Sequence, residues 1–289
     1  MDKVGALRDT VVWQPQDVAE AWEIKLHYGE KAAYIAGGTV IQMQREQGIA
    51  LPEHLISLEK IAAMHGISGN GDGSVTIGAL THLADCSTHT LLKENAEMLT
   101  VAAAQIASPA VRNQATIGGN IAYRTGDAIP ALLTIDAEVT IFSEKGIVAT
   151  KLNDYIPHKD GLIISLTVPK EATTGNQLKV FRKIGRREAF IPSLVTIAVS
   201  CRSLDGKVAE DVRIAAGGGT TLPIRLRECE QLLRERKPAE QCLEELHEKI
   251  IKEFQPAGDM FASADYRSRV AANLIVAELE DFFITKSTG

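Results

Sequence analysis

The 289-residue chain has only four cysteines, Cys86, Cys201, Cys229 and Cys242, set far apart with no CxxC pair and no closely spaced histidine. That spacing excludes a cysteine-held zinc or iron–sulfur centre and leaves buried or incidental reduced thiols as the reading. No run of about five basic residues occurs and the net charge is −6, which argues against nucleic acid or an anionic membrane as partner. No stretch reaches the roughly 18 apolar residues of a membrane span, and "MDKVGALRDTVVWQP" lacks the apolar run of a secretory signal. A cytoplasmic protein without membrane insertion is the expectation. A P-loop lysine, a GxGxxG spacing, internal repeats and low-complexity tracts are missing as well.

What is present is an ordinary globular composition, 45% hydrophobic and 24% charged, long enough for two domains and a sizeable core. The first 55 residues read as a small α/β unit. "QPQDVAEAWEIKLHYG" places Val18, Trp22 and Leu26 on one helix face and ends at Gly29, "AAYIAGG" is a buried strand, "VIQMQREQG" a short helix and "HLISL" a second strand. Residues 56–175 form a second α/β unit. It comprises a strand in "GNGDGSVTIGAL", a helix in "KENAEMLTVAAAQIA" stopped by Pro109, two strands around Glu-Lys-Gly in "EVTIFSEKGIVATKL", and a strand in "GLIISLTVPK".

The polar segment "EATTGNQ" is the expected boundary between a first domain, 1–175, and a second, 176–289. Beyond it, "LKVFRKIG", "SLVTIAVSCRS" and "VAEDVRIAAGGG" predict a three-stranded antiparallel sheet, with "LDGK" turning between the last two. "PAEQCLEELHEKIIKEF" and "ADYRSRVAANLIVAELEDFF" predict packing helices. The fold class expected is therefore α+β.

Two glycine turns carry the chemistry. A strand that runs into Gly37-Gly38-Thr39 and then a helix presents backbone N–H groups with no Cβ in the way, the condition for close approach of a diphosphate. "ATIGGNIA", residues 115–122, repeats the device, and together the two suggest a pyrophosphate held from two sides; each alone is equally a tight strand-to-helix turn.

The order "AGGTVI", "SVTIGALTHLADC", "IASPAVRNQATIGGNIA", "DAIPALLTIDAEV" resembles the FAD-binding chain of the molybdenum hydroxylases, the family of xanthine dehydrogenase and carbon monoxide dehydrogenase within the vanillyl-alcohol-oxidase-like flavoproteins. "FRKIGRREAF", "LPIRLRECE" and "SADYRSRVAANLIVAEL" resemble that family's C-terminal flavoprotein domain, so matching segments cover nearly the whole chain.

The resemblance implies FAD as cofactor, with Ile35, Ala36, Gly37, Gly38, Thr39 and Val40 around the pyrophosphate and the Thr39 hydroxyl adding a hydrogen bond. Ala115, Thr116, Gly118, Gly119 and Asn120 would close the other side, the Asn120 amide both donating and accepting. Ile106 and Ala107 would lie against the isoalloxazine. Ile163 matches a position at the flavin edge or is a plain strand core residue. Asp127 matches a carboxylate that binds cofactor hydroxyls, or caps the helix of "AIPALLTIDA", or both. The preceding "IAYRTG" is shorter than the family's pattern, so Tyr123 or Arg124 is a candidate for part of that contact. In "FRKIGRRE" either Arg182 or Lys183 would approach the flavin carbonyl edge, and Lys183 is the choice; a solvated strand face is the alternative.

The function implied is an electron-transfer subunit without catalytic side chains of its own. It would take electrons from a [2Fe-2S] subunit, reduced in turn by a molybdopterin subunit, and pass them to NAD or another acceptor. A stand-alone flavin oxidoreductase and a non-catalytic FAD-binding protein are the alternatives. His54, His65, His82, His89 and His158 form no recognisable constellation for direct catalysis. The substrate of the holoenzyme is open, xanthine being the family's frequent one.

Overall fold

The computed structural model describes residues 10–158, 161–170, 176–185, 193–203, 209–236 and 238–285. The chain opens with β1 (Val11–Trp13), α1 (Val18–Tyr28), β2 (Ala32–Ile35), α2 (Thr39–Glu46) and β3 (His54–Ser57). These strands form a parallel sheet in the order β1-β3-β2. Asp17 caps α1 by accepting from Glu20 N–H, and Gly29, at φ 53°, ends it. β1 was not expected. Three residues with two exposed valines carry no alternation signal, and only pairing with β3 makes them a strand.

Next come β4 (Ile67–Gly69), β5 (Val75–Gly78), α3 (Leu83–Thr88), α4 (Thr90–Asn95), α5 (Glu97–Gln105), α6 (Pro109–Arg112), α7 (Ile117–Ala122) and α8 (Ile129–Thr134). They are followed by β6 (Glu138–Ser143), β7 (Gly146–Lys151), α9 (Leu152–His158) and β8 (Leu162–Val168). The sheet here is antiparallel, β4-β5-β8-β6-β7. The single helix expected over "KENAEMLTVAAAQIA" is two, broken at Ala96, whose φ of −148° and ψ of 46° are not helical. Pro109 does not stop that helix. The chain leaves α5 at Ile106, and Pro109 instead opens α6, where its missing N–H costs nothing and the Ser108 hydroxyl caps the turn.

The C-terminal part contains β9 (Asn176–Ile184), β10 (Val195–Ser203), β11 (Glu210–Gly218), β12 (Thr221–Arg225), α10 (Arg227–Glu235), α11 (Glu240–Glu253) and α12 (Ala264–Glu280). The expected antiparallel sheet is present with one strand more than foreseen, in the order β12-β11-β10-β9. β12, "TLPIR", contains a proline that demotes it as a strand from sequence; as an edge strand it tolerates one. Residues 171–175 of the expected boundary, the turn at 204–207 and residues 186–188 of "FRKIGRRE" lie outside the described residues. Asn176 and Gln177 already belong to β9.

Alternation along β10 divides two cores. Val195, Ile197, Val199 and Cys201 face α10–α12, whereas Ala198, with Phe181 of β9 and Ala215 of β11, joins the core of the first half of the chain. All six residues of α8 are buried against that second face. Just beyond α8, Asp136, held at φ 51°, accepts from Arg225 Nη1 at 2.8 Å and pairs with Arg213 Nε at 2.7 Å. Arg225 also donates to the Leu133 carbonyl and forks onto the fully buried Glu230, which accepts from Ile214 N–H.

Arg225→Met takes the fork from the buried Glu230 carboxylate, leaving it the Ile214 N–H and Arg234 Nη2 at 3.3 Å. Loss of about 3–5 kcal/mol in unfolding free energy is expected for such a charge, measured by urea denaturation of the purified chain.

Candidate FAD site

The first glycine turn leaves β2 at Ile35 and enters α2 with Gly38 as N-cap, at φ 69°. α2 has no side-chain cap, and among the described residues no hydrogen bond occupies the first-turn amides of Thr39, Val40 and Ile41. Those donors, at the positive end of the helix dipole, suit an anionic group. The two glycines differ in what they exclude. A Cβ on Gly37 would lie 1.7 Å from the carbonyl oxygen of Gln114, a backbone-on-backbone contact that brings the segment before the second turn against the first. A Cβ on Gly38 would meet only the Ile35 side chain, at 3.5 Å, so the space over Gly38 is open.

The second turn is closed on the protein itself. Thr116 Oγ1 caps α7 by accepting from Gly119 N–H, Ile117 N–H donates to Thr81 O, and Gly118 N–H donates to Ala79 O at 2.8 Å. A Cβ on Gly118 would collide with Ala79. The Asn120 side-chain oxygen accepts from Ala128 N–H at 3.2 Å and packs on Gly126, stapling the short loop that sequence flagged. In this turn the glycines also serve chain packing, Asn120 N–H donates to Thr116 O, and Ala115 O accepts from Leu83 N–H.

Ile106 is buried in the core, and Ala107 takes a left-handed φ of 47°. Arg112 pins this corner, its Nη1 donating to Ile106 O at 2.9 Å and Ala107 O at 2.6 Å. The only sequence signal for Arg112 is a cation shortly after a helix end. Ile163 sits in β8 opposite Ile141 and is a core residue of the first half.

Asp127 does not cap α8; Ala128 holds that position. Its carboxylate instead reaches the C-terminal part, where Lys183 Nζ lies 2.8 Å from Oδ2 and the Ser193 hydroxyl donates to Oδ1. Arg182, on the opposite face of β9, pairs with Glu278 of α12 at 2.6 Å. Lys183 therefore faces the first half of the chain with its charge compensated by Asp127, and Arg182 does not.

Two buried polar atoms, the Tyr34 hydroxyl, two residues before Ala36, and Arg124 Nε, have no hydrogen-bond partner among the described residues. Burial holds the Tyr34 phenol well above its ordinary range, so it is a neutral donor awaiting an acceptor. Tyr123 beside Arg124 is exposed. All four cysteines are buried and free, and burial pushes the Cys86 and Cys201 thiols up to about 12, away from reactivity. Among the described residues no group of His, Cys, Asp and Glu could hold a metal, and no helix is long and apolar enough to cross a membrane. His54 stacks on Tyr28 and accepts from Trp13 Nε1 at 3.2 Å, a packing role.

The chain thus joins two mixed helix-and-sheet units, one with an open helix N-terminus, to a C-terminal sheet packed with helices. Residues 6–171 match the family model of the FAD binding domain in molybdopterin dehydrogenase, and residues 179–281 match that of the CO dehydrogenase flavoprotein C-terminal domain. The chain belongs to this family of flavoproteins, and FAD is its cofactor. It is 27% identical to the xanthine dehydrogenase FAD-binding subunit of Escherichia coli O157:H7, over 82% of this chain and 84% of that one. It is 26% identical to the carbon monoxide dehydrogenase medium chain of Hydrogenophaga pseudoflava, over 90% and 92%. A solved chain of carbon monoxide dehydrogenase from the same organism superimposes with a TM-score of 0.86 at 24% identity, covering 94% of this chain and 96% of that one, and so shares the fold.

The two glycines separate structure from binding. Gly38→Val is expected to leave the C-terminal unit folded and to lower the flavin-to-protein absorbance ratio severely, because its branch enters the open space above α2 and a β-branched residue is strained at the left-handed φ of 69°. Gly37→Ala, driven into the Gln114 carbonyl, is expected to lower the melting temperature of the flavin-free chain too. An unchanged flavin ratio in Gly38→Val would make that turn purely structural.

Proposed function

We propose that this chain is the electron-transfer flavoprotein subunit of a molybdenum hydroxylase complex, working with a [2Fe-2S] subunit and a molybdopterin subunit and delivering electrons to NAD or another acceptor. The observation that carries the reading is an FAD-binding architecture whose cysteines are separate, buried and poorly ionised, so that no described residues can hold a further redox centre. A chain that carries the flavin alone fits a relay in which electrons arrive from another chain. Curated relatives are named for xanthine, nicotinate, carbon monoxide and glyceraldehyde, which supports placing substrate choice outside this chain. The separate cores on either side of the β9–β12 sheet support two domains meeting at about residue 175.

In this reading the amides of Thr39, Val40 and Ile41 hold the cofactor diphosphate over Gly38, and the Thr39 hydroxyl stands beside them. The Tyr34 hydroxyl and Arg124 Nε supply unspent donors. Arg112 fixes the Ile106–Ala107 corner as an apolar backing, so contact there is by dispersion. Lys183 places a proton donor at the junction, and Asp127 orients it while both are largely shielded from water. FAD, when bound, supplies the capacity to accept electrons singly and release them in pairs.

Acid precipitation of the yellow chain should release all flavin to the supernatant, since nothing points to covalent attachment. The functional test is co-expression with the two candidate partner chains and anaerobic addition of a reducing substrate. Bleaching of the flavin only when all three chains are present supports the relay. Direct bleaching by a small organic substrate in the isolated chain replaces it with a stand-alone oxidoreductase.

A further inference from the structure

One end of the first sheet gathers four rings. On the parallel pair β1–β3, Val11 lies opposite His54 and Trp13 opposite Ile56, so Trp13 and His54 point to the same face. Trp13 Nε1 donates to His54 Nδ1 at 3.2 Å, Tyr28 of α1 stacks on the His54 ring with centroids 3.7 Å apart, and His27 meets Tyr28 edge to face at 4.6 Å. The FAD site described above does not draw on these side chains.

The Trp13–His54 bond fixes a protonation state. An indole nitrogen only donates, so His54 Nδ1 has to offer its lone pair, and the proton of the neutral ring sits on Nε2. A second proton would go onto Nδ1 and set N–H against N–H in the one hydrogen bond between these side chains. The docked state therefore excludes that proton, and by linkage acid favours whatever arrangement frees Nδ1. Stacking on Tyr28 attracts an imidazolium, but it is made between α1 and β3 and does not depend on Trp13.

The element free to give way is β1. It is a three-residue edge strand with Val11 45% and Val12 57% exposed, and Trp13 is the one of its side chains packed against the core. Its other attachments are the backbone pairing with β3, including Val11 N–H to Glu53 O at 2.9 Å, and just before it the Thr10 hydroxyl to Pro52 O at 3.1 Å. The charged groups around His54 are engaged with backbone or with one another. Lys25 Nζ donates to the Gly29 and Ala32 carbonyls, Ala32 standing opposite His54 on β2, and Lys31, next to Glu30 in the turn after α1, pairs with Glu53 at 3.4 Å. Tyr34, farther along β2, is kept neutral by burial, α1 adds His27, and β1 itself brings no titratable side chain. β3 lies between β1 and β2, and β2 runs into the Gly37-Gly38 turn, so departure of β1 bares one edge of the strand that supports that turn.

We propose that the Trp13–His54 contact is a proton-operated latch on β1, closed while His54 is neutral and open in acid, with flavin held less firmly once β1 has left. The consequence for the cofactor rests on the reading above that seats the diphosphate over Gly38, whereas the latch itself does not.

The test uses the flavin-loaded chain, with Trp22→Phe added where emission is read so that Trp13 is the sole tryptophan. Emission wavelength and the rate of flavin loss are followed from about pH 8 to about pH 5.5, the span in which imidazoles take up a proton. Acid is expected to shift Trp13 emission to the red and to speed flavin loss at least about threefold. His54→Asn, whose side-chain oxygen can take the Trp13 N–H without gaining a proton, should stay closed and show neither change. Trp13→Phe, which keeps a ring but no donor, should lose flavin without the acid acceleration, and it carries the test if His54→Asn does not fold. His27→Asn should respond as wild type does. An acid response that survives in His54→Asn or Trp13→Phe, or one abolished by His27→Asn, overturns the latch, as does an emission maximum that does not move. A red shift with unchanged flavin loss overturns the coupling to the cofactor, and the Gly38→Val flavin ratio then tells whether the seating of the diphosphate has failed with it.

Discussion

The seating of α8 on the C-terminal sheet is the constraint from which the site follows. α8 is buried along its whole length, and a short helix so enclosed has to have its neighbours' polar groups satisfied at both ends. Asp127 does this before it, reaching Lys183 and Ser193; Asp136 does it after it, reaching Arg213 and Arg225. Each carboxylate crosses from the first core to the second. The pair at Asp136 is backed by the buried Glu230 although Asp136 itself is half-exposed, whereas Asp127 and Lys183 are both shielded from water and lean on Ser193. The same architectural need therefore yields a clamp at one end and a functional candidate at the other.

The two glycine turns look alike in sequence and differ in structure because of what lies beside each. α2 starts at the surface of a three-stranded sheet, with its first amides unopposed. α7 starts against the strand-to-helix passage at 79–81, whose carbonyls take its amides one by one. A Gly-Gly pair signals only that something approaches the backbone closely. Whether that something is a ligand or another stretch of the same chain depends on long-range packing: Gly37 and Gly118 meet other backbone, while the space over Gly38 is open.

That is also the measure of how far the sequence could be read. Strands with alternating or continuous apolar runs, such as those over 162–168 and 195–203, and long one-faced helices such as 264–280 are legible because burial on one side repeats with the period of the element. β1 and β12 are not, since a three-residue strand and a proline-bearing edge strand owe their existence to neighbours far along the chain. The choice between Arg182 and Lys183 was unreadable from composition and follows at once from strand alternation, which sends one to Glu278 and the other to Asp127. Arg112 and Tyr34 escaped notice because their significance lies in a backbone carbonyl and in a missing partner, neither of which a residue type reveals.

Compensation of Lys183 by Asp127 bears on what the protein can do for a bound flavin. In the proposed site a bare ammonium at a flavin carbonyl edge would favour the anionic reduced cofactor strongly, whereas Lys183, paired with Asp127 at 2.8 Å, would act with a much smaller net field. Any change that draws Asp127 away, including movement of Ser193 at the start of β10, would unmask the charge. Since the Leu194 carbonyl beside Ser193 accepts from Arg267, the electrostatics of the junction and the anchoring of α12 are coupled through one short stretch of backbone. Coupling of this kind needs no large motion: a shift of a few tenths of an ångström in a close ion pair alters its energy, while the packed cores on either side hold the rest in place.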